Sequence, residues 1–224
     1  MKVFGTTLGH MIWPALLFLP VGMLFAPDGR LDASRVPWIL LITQILLAAW
    51  TAFLIRRGGL SVADLALDRR ALRKAWLYGG AAIGALLAVF YEIALAPALD
   101  WLRTNIGDVI PPGETRRALG AAIIPFAIAN IIFAPIVEEL LYRGVLERRW
   151  RKEWGSRIAF VIGTISFGLL HWAGGFFYIA ATAIVGALIL WVRRRSDSLY
   201  AAIAVHFSFN LCETTLAIVR IGSE

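Results

Sequence analysis

Long stretches of this sequence carry almost no Asp, Glu, Lys or Arg. They are Val3–Pro27, Val36–Ile55, Ala75–Asp100 (interrupted by Glu92), Ala118–Val137, Ile158–Val192 and Ser198–Val219 (interrupted by Glu213). A helix that spans a bilayer needs roughly 20 apolar residues, within about 17–25. Ile158–Val192 is too long for one such helix and too short for two ideal ones. It contains His171-Trp172-Ala173-Gly174-Gly175, and the Gly pair is a strong turn signal. Splitting it there predicts about seven spans, within six to eight. Composition agrees: hydrophobic residues make up 59% of the 224. Counted with Gly and without Tyr the share is about 66%, against roughly 45–50% in soluble domains. Disorder is excluded, because disordered chains are poor in apolar residues. The expected fold is all-α, a single polytopic transmembrane bundle over 1–224 with short loops.

The first run has only Lys2 ahead of it, and Pro14 and Pro20 interrupt it. It reads as an uncleaved, kinked span rather than a signal peptide. Basic residues gather in alternate loops: 56–74, 143–157 and 193–197, while 28–35 and 100–117 are balanced. The positive-inside rule then places the N-terminus and the three basic loops in the cytoplasm. The net charge of +7 is therefore a topology signal, and no nucleic-acid partner is expected. Trp38, Trp76, Trp101, Trp150, Trp154 and Trp191 fall near predicted helix ends, as an interfacial aromatic belt would. Segment 60–74 alternates Leu60, Val62, Leu65, Leu67 and Leu72 with Asp and Arg. It reads as an interfacial amphipathic helix or, almost as well, a solvated loop.

Ionisable residues inside spans are costly, and so are functional candidates. In Glu138-Glu139-Leu140-Leu141-Tyr142-Arg143, neighbouring carboxylates diverge by about 100° around a helix. Glu139 and Arg143 stand at i and i+4 in the favourable acid-first order. That spacing suggests a structural pair and leaves Glu138 to react elsewhere. The segment alone fits equally well a helix end with solvated charges. If the fourth and fifth helices form a hairpin turning near Trp154-Gly155, Glu138 and His171 each lie about 16 residues from the tip, roughly 24 Å along either arm. They would then share a depth, with Phe167 walling the same face as His171. His206 and Asn210 share a face of the last helix, as interhelical glue or as a cavity lining. Ser208 and Thr214 read as incidental, Cys212 lies nearly opposite Asn210, and Glu92 and Glu213 belong to no motif.

Together these segments resemble the CPBP family, the CAAX-processing and bacteriocin-processing intramembrane proteases. Its three motifs appear in order as Glu138-Glu139-x-x-x-Arg143, Phe167-x-x-x-His171 and His206-x-x-x-Asn210. The likeness covers about 118–215. It implies hydrolysis of a peptide bond by water inside the membrane, near a terminus of a membrane-bound or lipidated protein or peptide. By resemblance Glu138 is the base, His171 helps hold the water, and His206 and Asn210 stabilise the oxyanion. Glu139, Arg143 and Phe167 would give structural support. A desolvated carboxylate is a better proton acceptor than a solvated one, which suits this chemistry. No cofactor is expected. A zinc ion on Glu138, His171 and His206 is the alternative, as a His₂Glu site with an open fourth position. The expected location is a bacterial cytoplasmic (inner) membrane.

Two rivals remain at this stage. One is a catalytically silent membrane protein on the same helices, such as a bacteriocin self-immunity factor or a scaffold. The other is a small transporter relaying protons through Glu92, Glu138 and His171.

Overall fold

The computed structural model describes residues 2–25, 33–106 and 122–221, and all regular structure among them is helical. Helices α1 (Lys2–Leu16) and α2 (Phe18–Phe25) form one broken segment. Pro20 has no N–H for the carbonyl four residues back, which explains the break at Leu17. Then follow α3 (Val36–Gly58) and α4 (Lys74–Ile106). The helical stretch Ile123–Leu170 contains non-helical Gly155, with φ 78° and ψ 169°. That left-handed backbone suits glycine and divides the stretch into α5 (123–154) and α6 (156–170). A short turn at Trp172–Gly174 leads to α7 (Phe176–Ser196), and α8 (Leu199–Ile221) ends the bundle. Counting α1 and α2 as one, the described residues form seven helical segments.

Four helical stretches are long and apolar enough to cross a membrane: Val36–Gly58, Lys74–Ile106, Ile123–Leu170 (kinked at Gly155) and Phe176–Ser196. Helix α8 is also long, at 23 residues. The predicted hairpin turn at Trp154-Gly155 and the split of Ile158–Val192 both stand where the glycines are.

Two helices carry π turns, at Tyr91–Leu95 in α4 and at Ile128–Phe133 and Leu140–Leu146 in α5. The first two have a physical cause in the sequence. Each is followed at its second residue by proline, Pro97 and Pro135. Proline cannot return an N–H to the preceding turn, so the helix widens there. The two π turns of α5 bracket Glu138 and Glu139.

Helices α4 and α8 pack at backbone contact. A Cβ on Gly84 would collide with Val205 O and Ser208 Oγ, the close approach that small residues permit between membrane helices. One apolar core joins Leu47 of α3, Leu141, Tyr142 and Trp150 of α5, and Phe167 and Leu170 of α6. A second joins Val185 and Ile189 of α7 to Ala202 and Val205 of α8.

Two expectations change. Segment 60–73 is a run of turns rather than an interfacial helix. Asp64 accepts hydrogen bonds from the backbone and hydroxyl of Ser61, and Ala66 adopts φ 53°. The loop then fastens to α8, where Leu199 N donates to Ala66 O and Tyr200 Oη to Leu67 O. Leu65 is buried against Gly144 of α5. These local and long-range bonds outcompete a helix that the alternating leucines alone would support. The aromatic belt also loses a member, because Trp150 is fully buried in the first core, whereas Trp38, Trp101 and Trp191 remain well exposed.

The basic loops are tied together at one end of the bundle. Arg148 pairs with Asp64 at 2.6 Å, and Arg194 with Glu147 at 2.8 Å. Arg194 also donates to Ser156 O at 2.9 Å, which joins the start of α6 to the end of α7.

Candidate active site

The helices enclose a cavity of about 400 Å³ whose lining includes Glu138, His171, His206 and Asn210. Residues from three motifs far apart in sequence thus face one space. Glu139 and Arg143 lie outside that lining, buried among the helices.

Glu138 and Glu139 diverge as adjacent helical residues must. Glu138 is 3% exposed. Its Oε1 accepts a hydrogen bond from Gln44 Nε2 at 2.7 Å. Its Oε2 has no hydrogen-bond partner among the described residues. Glu139 is fully buried and ion-paired within its own helix to Arg143, Oε1 to Nη1 at 3.2 Å. The same oxygen accepts from His206 Nδ1 at 2.9 Å. Arg143 has two further supports: Nη2 donates to Gly186 O at 2.8 Å, and its guanidinium lies 4.0 Å over the Phe167 ring. A buried ion pair tolerates its desolvation only when such additional bonds complete it.

Phe167 is more than a wall. Its ring makes an edge contact with His206 at 5.8 Å and with Tyr142 at 5.5 Å between centroids, and tilts against His171 at 5.1 Å. It therefore spaces both histidines while stacking under Arg143.

The histidines are oriented by acceptors on the protein side. His171 donates from Nδ1 to Phe167 O at 3.0 Å. That carbonyl only accepts, so Nδ1 carries a proton and Nε2 is the remaining ring nitrogen. His206 gives Nδ1 to Glu139, which likewise leaves Nε2.

Asn210 is held by a consequence of Pro135. In the π turn before it, Ala134 N–H returns to Ala129 O, five residues back. In that register Pro135 would serve Asn130 O, and it has no N–H to give. Asn210 Nδ2 serves it instead, donating to Asn130 O at 2.7 Å and lying 3.4 Å from Asn130 Oδ1. Asn130 Nδ2 in turn donates to Thr214 Oγ1 at 3.1 Å.

Two residues escaped the sequence reading and a third was read differently. Gln44 is one amide in an apolar helix and belongs to no spacing pattern. Asn130 is equally isolated in its run, although the Pro135 five residues on marks an orphaned carbonyl near it. Thr214 stands four residues after Asn210, on the same face, and lines the cavity, so reading it as incidental was incorrect. Glu213 also lines the cavity. Glu92 is buried in the first π turn and lies outside that lining.

Among the described residues, no three His, Cys, Asp or Glu side chains come together as a group able to hold a metal. Glu138, His171 and His206 thus lack the convergence that a His₂Glu site needs, and no step below is routed through a metal.

Comparison with known proteins points to the same part of the chain. The model of the type II CAAX prenyl endopeptidase Rce1-like family matches residues 120–212. The UPF0177 protein YbdI of Lactococcus lactis subsp. lactis (strain IL1403) is 28% identical over 146 residues, covering 61% of this chain and 72% of that protein. No solved structure matches the chain. The matched residues contain the paired glutamates, both histidines and Asn210, so this part of the chain is similar to the Rce1-like type II CAAX prenyl endopeptidase domain.

Proposed function

We propose that this protein is an intramembrane endopeptidase that hydrolyses a peptide bond of a membrane-associated protein. The observation that carries the reading is the buried carboxylate of Glu138, held at one oxygen by Gln44 and facing a cavity shared with His171 and His206.

Glu138 Oε2 takes a proton from a water that His171 Nε2 helps to hold. The water oxygen bonds to the scissile carbonyl carbon, and the carbonyl electron pair moves onto its oxygen. That oxyanion is stabilised by a proton on His206 Nε2, with the resulting imidazolium balanced by the Glu139 carboxylate at 2.9 Å. Asn210, anchored on Asn130, adds its amide. As the C–N bond breaks, Glu138 returns its proton to the leaving nitrogen, giving a new carboxyl terminus and a free amine. Phe167, Glu139 and Arg143 keep the two histidines in place. The basic loops mark the cytoplasmic side, with the N-terminus on that side too.

The test is comparative proteomics of membrane-protein termini in wild-type and Glu138→Ala cells. The reading expects at least one processed terminus to vanish in the variant and return with the wild-type gene. Identical termini in both strains would overturn it and favour a silent bundle.

A further inference from the structure

All three motifs, and the matched residues 120–212, lie beyond α3. Yet the side chain bonded to the candidate base comes from the middle of α3. Gln44 is 5% exposed, and its Nε2 stands 2.7 Å from Glu138 Oε1. We propose that Gln44 is a positioning residue for the hydrolysis, fixing the Glu138 carboxylate so that Oε2 is presented to the attacking water. This rests on Glu138 being the base.

The chemistry favours an amide for this task. A buried carboxylate free to rotate would present either oxygen in many orientations. One donated N–H pins Oε1 and fixes the carboxylate plane. Gln cannot exchange a proton, so it neither competes for the water's proton nor neutralises the base as Lys or Arg would. The bond also spans distant parts of the chain, 94 positions apart in sequence, so α3 is packed against the catalytic segment as well as lipid. Leu40, one turn before Gln44, lines the same cavity. An amide in an apolar helix is costly unless its donors are used, so the bond accounts for a residue that a merely lipid-facing α3 would not carry.

Other charged or titratable groups face Glu138 from the packed elements. They line the same cavity: Tyr91 and Asp100 on α4, His171 at the end of α6, Tyr178 on α7, and His206 and Glu213 on α8. From α3 the facing group is Gln44, which does not titrate. A carboxyl introduced at position 44 therefore adds a titration of its own.

The experiment uses the full chain in proteoliposomes and a quenched-fluorescent peptide spanning the terminus that vanishes in Glu138→Ala cells. Gln44→Met, similar in volume and without a donor, is expected to lower kcat roughly ten- to a hundredfold, the weight of a hydrogen bond to a charged group, with KM changed less than about twofold. Gln44→Glu supplies a donor only while the new carboxyl holds its proton. It should work near pH 5 and fail near pH 8, where two carboxylates would face each other, a reversal absent from wild type. Wild-type kcat in Gln44→Met, or a wild-type pH profile in Gln44→Glu, would overturn the proposal. If Gln44→Met does not fold, the Gln44→Glu profile decides. Full hydrolysis by Glu138→Gln would instead overturn the base assignment, a result separate from either Gln44 outcome.

Discussion

His206 Nδ1 lies 2.9 Å from Glu139 Oε1, so the last helix is joined at full burial to the carboxylate that also neutralises Arg143. One oxygen thus serves a guanidinium on α5 and an imidazole on α8, while the neighbouring Glu138 remains with the cavity. The two adjacent glutamates should therefore fail in different ways. Glu139→Ala leaves Arg143 buried beside Phe167 without its counter-charge, and removing one partner of a buried pair costs about 3–5 kcal/mol. Glu138→Ala forfeits a single hydrogen bond from Gln44 and should cost about 1–3 kcal/mol. Unfolding of both variants in detergent, followed by tryptophan fluorescence, checks this. Equal losses would refute the division of labour.

The α4–α8 contact gives a second prediction. Gly84→Ala places a methyl group against Val205 O and Ser208 Oγ. Backbone carbonyls cannot swing aside, so the helices must separate, and overpacking of this kind costs about 1–3 kcal/mol. Because α8 carries His206 and Asn210, hydrolysis should fall more than the stability loss alone predicts. A cysteine cross-link placed across this pair, slower to form in the variant, would report the separation.

Much of this arrangement was legible in the sequence for a geometric reason. Charge-free runs gave the segments, Gly155 gave the hairpin, and counting outward from it placed Glu138 and His171 on opposite arms at one level. The i, i+4 spacing paired Glu139 with Arg143. The remainder depends on how helices face each other. Nothing local in α3 says that Gln44 turns towards α5, and nothing in the Glu139 motif says that His206 will share its oxygen. Segment 60–73 misled because its leucines alternate like an amphipathic helix, while Ser61, Asp64 and the start of α8 capture its backbone. The π turns at Pro97 and Pro135 follow from proline's missing N–H, a signal that hydrophobic periodicity does not register.

The Asn130–Asn210 contact yields a prediction with an internal control. Asn210→Ala leaves the half-buried Asn130 O without the amide that served it, a loss of about 1–3 kcal/mol. Pro135→Ala restores an N–H within reach of that carbonyl. The two substitutions should therefore couple, the double variant being less destabilised than the sum of the singles. Strict additivity in denaturation midpoints would mean that Pro135 does not set the role of Asn210.

Asp64 offers a pH test outside the membrane segments. The Ser61 hydroxyl and backbone N–H that it accepts hold its carboxyl below the ordinary 3.8, with Arg148 adding a smaller effect. A group depressed in the folded state stabilises above its unfolded value and loses that contribution as pH falls through the folded one. The turn at 61–64 should therefore be insensitive to pH between about 5 and 8 and should loosen only below about 4. Since Ser61 dominates, Ser61→Ala should raise the titration midpoint of Asp64 more than Arg148→Ala does. Added salt should weaken only the Arg148 contribution, because that pair is partly exposed at 52% and 32%. Carboxyl carbon shifts of ¹³C-labelled Asp across an acid titration measure both effects. A larger shift in Arg148→Ala would show that the ion pair, rather than the serine turn, shapes the loop.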